Sequence, residues 1–195
     1  MSDGEGPLSG VRVLDLTRYL AGPFASMLLA DYGADVVKVE SRAGREFRPS
    51  GSERDSYFFL SSNRGKRSLT LDLKAEAGRE LLERLMPQFD VLIENFRPGV
   101  MQRLGLGADA LTERFPRLIY CGISGFGAEG PYRDRPGFDQ IAQGMSGFMS
   151  LTGTPDSGPT RAGIAIGDLL GGIFAAHGIQ LALLARERSG RGQIV

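Results

Sequence analysis

Short apolar runs alternate with amphipathic segments along most of the 195-residue chain. Residues 11–17 combine β-branched and apolar side chains and predict a strand, and Gly22-Pro23 opens an apolar helix that runs to about Asp31. Gly33 ends this helix, and residues 34–40 predict a second strand. A strand, a helix and a strand in such close succession form a βαβ unit, which makes the two strands parallel with a right-handed crossover.

The same alternation continues to residue 124, after an interruption at residues 41–64. That interruption is polar, charged and glycine-containing, so it predicts a long loop. Beyond it the pattern predicts strands at residues 68–73, 89–95 and 117–124, and helices at 75–86, 98–104 and 108–115. The fold class predicted is α/β, an open and mostly parallel Rossmann-like sheet with helices on both faces.

The last part of the chain has a different pattern. Residues 138–149 predict a helix, residues 152–163 a turn-rich loop, and a long apolar helix follows from Gly167-Asp168 to about Arg188. Four glycines, Asp168, His177 and Gln180 interrupt the apolar stretch 164–185, which therefore predicts a buried helix and not a membrane span. Residues 194–195 resemble the start of a further strand. We therefore expect residues 1–195 to be the N-terminal portion of a larger α/β domain.

Composition narrows the function. Lys plus Arg and Asp plus Glu both number 23, so the basic excess typical of nucleic-acid binding is missing. One cysteine excludes an intrachain disulfide and fits a reducing cytoplasm, and the polar residues 1–7 do not resemble a signal peptide. With one cysteine and one histidine, a zinc site and a hydrolase triad are disfavoured. His177 lies within an apolar helix, which favours a core role.

A glycine motif at Gly125, Gly127 and Gly130 has the spacing of dinucleotide-binding loops. That fingerprint needs a helix that opens inside the glycines, with its N-terminus on the pyrophosphate. Pro131 and the charged residues that follow it disfavour such a helix. We expect a glycine-rich loop near the ligand and no nicotinamide or flavin. The Gly-x-Ser-x-Gly elbow of serine hydrolases is also incomplete, at residues 122–126 and at 144–148.

Asp168 stands between Gly167 and the apolar run, at the N-cap or first turn of the long helix. The residue pattern alone favours a helix cap. The alternative is a nucleophile, kept ionised by the helix dipole and by free backbone N–H groups. Gly167, Gly171 and Gly172 would leave room for a bulky ligand. In open α/β sheets, ligands bind beyond the carboxyl ends of the strands, here residues 17–19, 40–42, 95–97 and 124–126.

Short motifs in a characteristic order cover nearly the whole chain: residues 8–17, 21–23, 33–40, 63–68, 71–73, 94–99, 103–105, 125–127, 167–168 and 190–193. Together they resemble the class III coenzyme A (CoA) transferases, which include formyl-CoA and carnitine CoA-transferases and are related to α-methylacyl-CoA racemases. The resemblance implies an enzyme that moves CoA from an acyl-CoA donor to a carboxylic acid. Acyl-CoA is then a substrate, with no covalently bound cofactor and no metal.

The catalytic aspartate of the family falls on Asp168. By resemblance, its carboxylate attacks the thioester to give an aspartyl-acyl anhydride and CoA thiolate, and the thiolate then forms an aspartyl-CoA thioester. An anhydride requires a water-poor pocket, and backbone N–H groups would stabilise the oxyanions. The resemblance also implies CoA contacts at Tyr19, Leu20, Arg42, Leu71, Lys74, Asn95, Phe96, Arg97, Arg103 and Arg135. Cations in this set would hold phosphates, and Phe96 could line the adenine or pantetheine path. Each cation alone could equally be a solvated surface charge.

Two alternatives stay open. Racemases of the family carry a histidine where this chain has Phe138, so a transferase is preferred over an acyl-CoA racemase or isomerase, and Asp139 could orient the active site. The other alternative is a non-catalytic CoA-binding fragment. Family members are longer, with a small domain and a C-terminal return segment, and form interlocked homodimers. We therefore expect little turnover from 195 residues alone, in a cytoplasmic protein whose acyl donor and acceptor the sequence does not specify.

Overall fold

The computed structural model describes residues 6–41 and 57–195. Its strands are β1 (Arg12–Asp15), β2 (Asp35–Glu40), β3 (Lys66–Thr70), β4 (Val91–Glu94) and β5 (Ile119–Gly122). Its α-helices are α1 (Ala21–Asp31), α2 (Tyr57–Asn63), α3 (Glu76–Leu85), α4 (Val100–Arg103), α5 (Ala108–Arg114), α6 (Asp139–Met145) and α7 (Ile166–Ser189). Two 3₁₀ turns follow α3 and α6, at Met86–Gln88 and Phe148–Leu151.

The five strands form one parallel sheet in the order β3-β2-β1-β4-β5. The chain builds outward from β1 through β2 to β3, then returns to the other side of β1 for β4 and β5. The loops that follow β1 and β4 therefore diverge and open a crevice at the carboxyl edge of the sheet. The predicted open α/β sheet is confirmed.

Helices cover both faces of this sheet, as predicted. Because adjacent side chains of a strand point to opposite faces, Val13 joins one core layer and Leu14 the other. The first layer lies beneath α1 and α7 and contains Leu29 and Ile179. The second lies beneath α3, α4 and α5 and contains Leu82, Met101 and Leu111.

One expected loop is partly helical. Residues 57–63 form α2, which packs against α1, whereas the sequence pattern predicted a loop through residues 41–64. The hydroxyl of the buried Ser62 donates to the carbonyl of Phe58, so a polar side chain of this short helix forms a hydrogen bond with the helix backbone. The rest of that expected loop, residues 42–56, lies outside the described residues.

The long helix α7 packs through one stripe of mostly small residues, whose buried glycine and apolar members are Gly172, Ala175, Ala176, Ile179, Ala182 and Leu183. Its opposite face is exposed and carries Leu170, Ile173, Phe174, Leu181 and Leu184. The expected buried helix is therefore buried along one face only. The expected core role of His177 is wrong, because this side chain is exposed. Of the helices in residues 6–41 and 57–195, α7 alone is long and apolar enough to cross a membrane; its small-residue stripe packs on the sheet as a core helix does.

The chain end extends the sheet past β5. Ile194 forms a parallel bridge with Tyr120, and the Tyr120 N–H donates to the carbonyl of Gln193 at 2.9 Å. The expected start of a strand at residues 194–195 is confirmed. This pairing also orients α7: a helix between two parallel strands runs antiparallel to them. The N-terminus of α7, with Asp168, therefore lies at the carboxyl edge of the sheet.

Candidate active site

The loops after β1 and β4 are joined by one side chain. The Asn95 Oδ1 accepts a hydrogen bond from the Arg18 N–H at 2.7 Å, and the Asn95 Nδ2 donates to the Arg18 carbonyl at 2.7 Å. The Asn95 side-chain amide thus pairs with the backbone N–H and C=O of Arg18, as the backbone of a neighbouring strand would. The guanidinium of Arg18 also lies over the Phe96 ring, 5.3 Å from its centroid. Four predicted CoA contacts, Tyr19, Leu20, Asn95 and Phe96, thus share the walls of the crevice.

Tyr19 has a strained backbone. Its φ of 66° makes it the one non-glycine residue with positive φ in the described part of the chain. A left-handed conformation costs an L-residue about 1–2 kcal/mol and persists only where the surroundings impose it. Here the two Asn95 hydrogen bonds fix Arg18, the residue before Tyr19, and α1 begins two residues after Tyr19. The Tyr19 side chain is 60% exposed at the mouth of the crevice. Backbone strain at a residue whose aromatic side chain is exposed is typical of a ligand-binding site.

Three predicted phosphate ligands are exposed at the same edge. Arg97 and Arg103 follow β4, and Lys74 follows β3. Within residues 6–41 and 57–195 their side chains form neither hydrogen bonds nor ion pairs. Cations without protein partners can bind phosphates without breaking an existing contact. Arg135 instead stacks on the Tyr132 ring at 4.2 Å.

The two remaining predicted CoA contacts differ from these. The Leu71 side chain is buried in the core, so only its backbone could contact a ligand. Arg42 lies outside the described residues.

The glycine motif at residues 125–130 opens no helix, since α6 begins at Asp139. Gly125 and Gly137 pack backbone to backbone: a Cβ placed on either would lie 2.3 Å from the other's Cα. These two glycines allow two chain segments to cross closely. The prediction that the motif is a loop is therefore confirmed.

Asp168 occupies the first turn of α7 but does not cap it. The Asp139 Oδ1 accepts hydrogen bonds from the Gly167 N–H at 2.7 Å and from the Asp168 N–H at 3.4 Å. The N-cap residue itself, Ala165, supplies no side-chain bond. The interpretation of Asp168 as a helix cap is therefore wrong, because Asp139 takes the free N–H groups from 28 residues earlier in the chain.

This arrangement reverses the expected electrostatics of Asp168. Burial, and next the negative charge of Asp139, raise the pKa of Asp168 above its ordinary value. If Asp168 were the nucleophile, backbone N–H groups were expected to stabilise its carboxylate, but those of Gly167 and Asp168 bind Asp139 instead. The Asp168 carboxylate is half-buried and accepts no hydrogen bond from any described residue. A carboxylate with a raised pKa and no partner is a stronger base and nucleophile than a paired one.

The first turns of α7 lie beside the start of α1. A Cβ on Gly172, one helical turn after Asp168, would lie 2.7 Å from the Ala21 carbonyl oxygen. Ala21 directly follows Tyr19 and Leu20, so Asp168 stands next to the crevice. Gly172 therefore serves helix packing and not the ligand space expected of it. A Cβ on Gly167 would lie 3.1 Å from the Asp139 Oδ1, and of these three glycines only Gly171 has open space where a Cβ would stand.

A buried ionic network beneath the crevice was not predicted. Burial alone would raise the pKa of the fully buried Asp15, but Lys66, Lys38 and the hydroxyls of Ser26 and Thr17 lower that pKa to about 2. The Lys66 Nζ lies 3.0 Å from the Asp15 Oδ2. It also donates to the Pro23 carbonyl at 2.8 Å and so fixes the start of α1. Charged residues inside otherwise apolar strands were the available signal, because a buried charge needs a partner.

A second unpredicted carboxylate holds the β4 loop. Glu94 accepts the Phe96 N–H at 2.8 Å and the Tyr120 hydroxyl at 3.1 Å. Burial raises the pKa of Glu94, and these two hydrogen bonds oppose that shift. Glu94 thus supports the turn that presents Asn95 and Phe96.

The geometry defines an α/β protein with a carboxylate and a cationic edge at the switch point of its sheet. A model of CoA-transferase family III matches residues 8–195, so the chain belongs to this family. It is 46% identical to succinate–glutarate CoA-transferase of Agrobacterium fabrum over 99% of this chain and 51% of that protein. It is also 46% identical to acetyl-CoA:oxalate CoA-transferase of Acetobacter aceti, over 96% of this chain and 49% of that protein.

Solved structures agree with the family assignment. A CAIB/BAIF family protein from Brucella suis superposes with a TM-score of 0.92 at 45% identity, over 97% of this chain and 52% of that one. A protein from Mycobacterium tuberculosis superposes with a TM-score of 0.90 at 40% identity, over 100% of this chain and 54% of that one. The chain thus spans about half the length of the relatives that it matches.

Proposed function

We propose that the protein containing this chain transfers CoA from an acyl-CoA donor to a carboxylic acid, with Asp168 as the nucleophile. The supporting observation is the half-buried Asp168 carboxylate, which has a raised pKa, no partner among the described residues and a position beside the crevice. Relatives named as CoA-transferases for succinate–glutarate and oxalate support the reaction class. Acyl-CoA is a substrate in this proposal, and no further cofactor takes part.

The proposed reaction needs no net proton transfer. The Asp168 carboxylate attacks the thioester carbon, the C–S bond breaks, and CoA leaves as a thiolate beside an aspartyl-acyl anhydride. The thiolate attacks the aspartyl carbonyl, which releases the donor acid and leaves an aspartyl-CoA thioester. The acceptor carboxylate then attacks this thioester and expels CoA as a thiolate, which leaves an anhydride between Asp168 and the acceptor. The thiolate attacks the acceptor carbonyl of this anhydride, which forms the new acyl-CoA and releases the Asp168 carboxylate. Water must be excluded throughout, because it would hydrolyse the anhydride.

CoA would lie across the carboxyl edge of the sheet. Tyr19, Leu20, Asn95 and Phe96 would contact its pantetheine and adenine parts in the crevice. Lys74, Arg97, Arg103, Arg135 and Arg42 would supply positive charge to its phosphates, and the absence of competing carboxylates around Arg97 and Arg103 in the described residues supports this assignment. Leu71 would contribute through its backbone.

Phe138 favours transfer over racemisation, because its exposed ring occupies the place of the proton-carrying histidine of the racemases. We further propose that the protein is cytoplasmic, which the single, buried Cys121 supports. The exposed apolar face of α7 supports burial of this face in a full-length homodimer. The balanced charge supports the absence of a nucleic-acid partner, and the packed stripe of α7 supports a protein outside the membrane.

Trapping the covalent intermediate tests the nucleophile. The full-length protein is incubated with a panel of acyl-CoA donors, quenched with hydroxylamine and digested for mass spectrometry. A hydroxamate on the Asp168 peptide is expected, and Asp168→Asn should lose it together with transfer activity. Asp156→Asn, a change at an exposed loop aspartate, is the control and should retain both. Transfer activity that survives Asp168→Asn would refute the assignment.

A further inference from the structure

Gln143 on α6 is a buried polar residue in an unusual setting. Its side chain is 2% exposed, and its Nε2 donates to the Asp139 Oδ2 at 2.6 Å and to the Ile164 carbonyl at 3.4 Å. Its Oε1 accepts the Ala162 N–H at 2.8 Å. A buried amide is costly unless its hydrogen bonds are satisfied, and a leucine would fill the same volume without that requirement. The contacts themselves therefore indicate what the amide does.

These contacts join three segments at one point. Gln143 holds the end of the loop that precedes α7 through Ala162, and it holds α6 to α7 through Asp139. The two oxygens of Asp139 are divided between partners: Oδ2 binds Gln143, and Oδ1 caps α7 at Gly167. A carboxylate held at both oxygens cannot rotate about its terminal bond. Its charge therefore keeps one position relative to Asp168 in the adjoining turn.

We infer that Gln143 is a positioning residue: it locks the Asp139 carboxylate onto the first turn of α7 and so fixes Asp168 in its reactive geometry. This inference rests on the proposed function. The direction of the Asp168 pKa shift supports it, because the Asp139 charge is one of its two causes. A misplacement of about 1 Å in a reacting group can cost roughly a hundredfold in rate.

The substitution Gln143→Glu supplies a test that depends on pH. When protonated, the introduced carboxyl group would still donate to Asp139 through its hydroxyl and accept from Ala162, as the amide does. When ionised, the same group would repel Asp139 and lose the donor. The charged groups nearby are Asp139 on α6, Asp168 on α7, and Arg161, whose guanidinium donates to the Ala162 carbonyl. The 3₁₀ turn Phe148–Leu151, which also packs against α6, carries none.

Three variants of the full-length protein decide the question. Gln143→Leu should lower kcat at least tenfold at every pH, with KM for acyl-CoA within about twofold of wild type, since CoA binds elsewhere. Gln143→Glu should approach the wild-type kcat at low pH and lose it as pH rises. Gln140→Glu, a change at an exposed neighbour on the same helix, should follow the wild-type pH profile. Hydroxamate yield on Asp168 should follow kcat.

The outcomes separate this inference from the proposed function. If wild type forms no hydroxamate on Asp168, the proposed function fails. If wild type forms it and Gln143→Glu shows the wild-type pH profile, the positioning role of Gln143 fails while the function stands. Circular dichroism across the same pH range shows whether Gln143→Glu stays folded. A loss of kcat caused by unfolding alone would also overturn the positioning role.

Discussion

Lys66 and Arg67 are neighbours on β3 that pair with aspartates in opposite environments. The Lys66 Nζ lies 3.0 Å from the fully buried Asp15. The Arg67 guanidinium lies 2.6 Å from Asp35, in a pair whose side chains are 62% and 41% exposed. Replacing each cation by methionine removes one ion pair of similar length. The two variants therefore separate the effect of burial from that of the contact.

The cost of Lys66→Met can be estimated in two ways. Breaking a buried pair by removing one partner costs about 3–5 kcal/mol, because the other charge is left buried. Asp15 has a pKa of about 2 in the fold against 3.8 ordinarily. Its network therefore contributes about 2 kcal/mol above pH 3.8, and that contribution is lost as pH falls towards 2. Lys38 is 3.9 Å from Asp15 and also donates to the Thr17 carbonyl, so it compensates only partly.

We expect Lys66→Met to lower the free energy of unfolding by about 3 kcal/mol or more at pH 7, and Arg67→Met by less than about 1 kcal/mol. Urea unfolding followed by far-UV circular dichroism gives both values from the midpoints, provided that the m-values agree. Adding Asp15→Asn to Lys66→Met should restore part of the loss, because it removes the unpaired charge. Equal losses in the two single variants, or no recovery in the double variant, would refute the reasoning.

Two further substitutions test the crevice and the helix contact below it. Tyr19→Gly should raise the free energy of unfolding by about 1 kcal/mol, since glycine adopts positive φ without strain. The same substitution should weaken CoA binding, measured by calorimetry on the full-length protein. A loss of stability would contradict the inference that the Tyr19 backbone is strained. Gly172→Ala should cost about 1–3 kcal/mol, because its Cβ would meet the Ala21 carbonyl at 2.7 Å. Gly171→Ala, where a Cβ would meet no other atom, should be neutral or stabilising by up to about 1 kcal/mol. Equal changes in the free energy of unfolding for the two variants, measured by denaturant unfolding, would contradict the close packing of Gly172 on α1.

The architecture was predictable because each element carries its own periodicity. The apolar runs and amphipathic stretches located all five strands, and their alternation with helices predicted the parallel sheet. Strand ends were less exact: β3 begins at Lys66 and not at Ser68, because its pairing with β2 starts at Val36 opposite Lys66. Pairing between strands sets this register, and a local pattern does not contain it. The helix at residues 57–63 was missed because its polar flank masked a short apolar run.

The candidate site was predictable only in part, for a related reason. Motif resemblance indicated Asp168 and the crevice residues, but local spacing assigned Asp168 the cap of its own helix. The true cap, Asp139, is 28 residues away in sequence, and no short-range rule connects the two. The partners of Asp15 are likewise distant, since Lys66 is 51 residues along the chain. Contacts of this kind appear only once the sheet order is known.

Asp139 and Asp168 have different roles in the site, and this difference accounts for the reactivity proposed for Asp168. An aspartate that caps a helix has its charge stabilised by N–H groups, which weakens it as a nucleophile. Asp139 takes that role for α7, with Gln143 as its second partner. The Asp168 carboxylate is then left beside a negative charge, half-buried and without a hydrogen bond from the described residues, so its pKa rises. The reactivity proposed for Asp168 thus follows from where its neighbour's carboxylate binds.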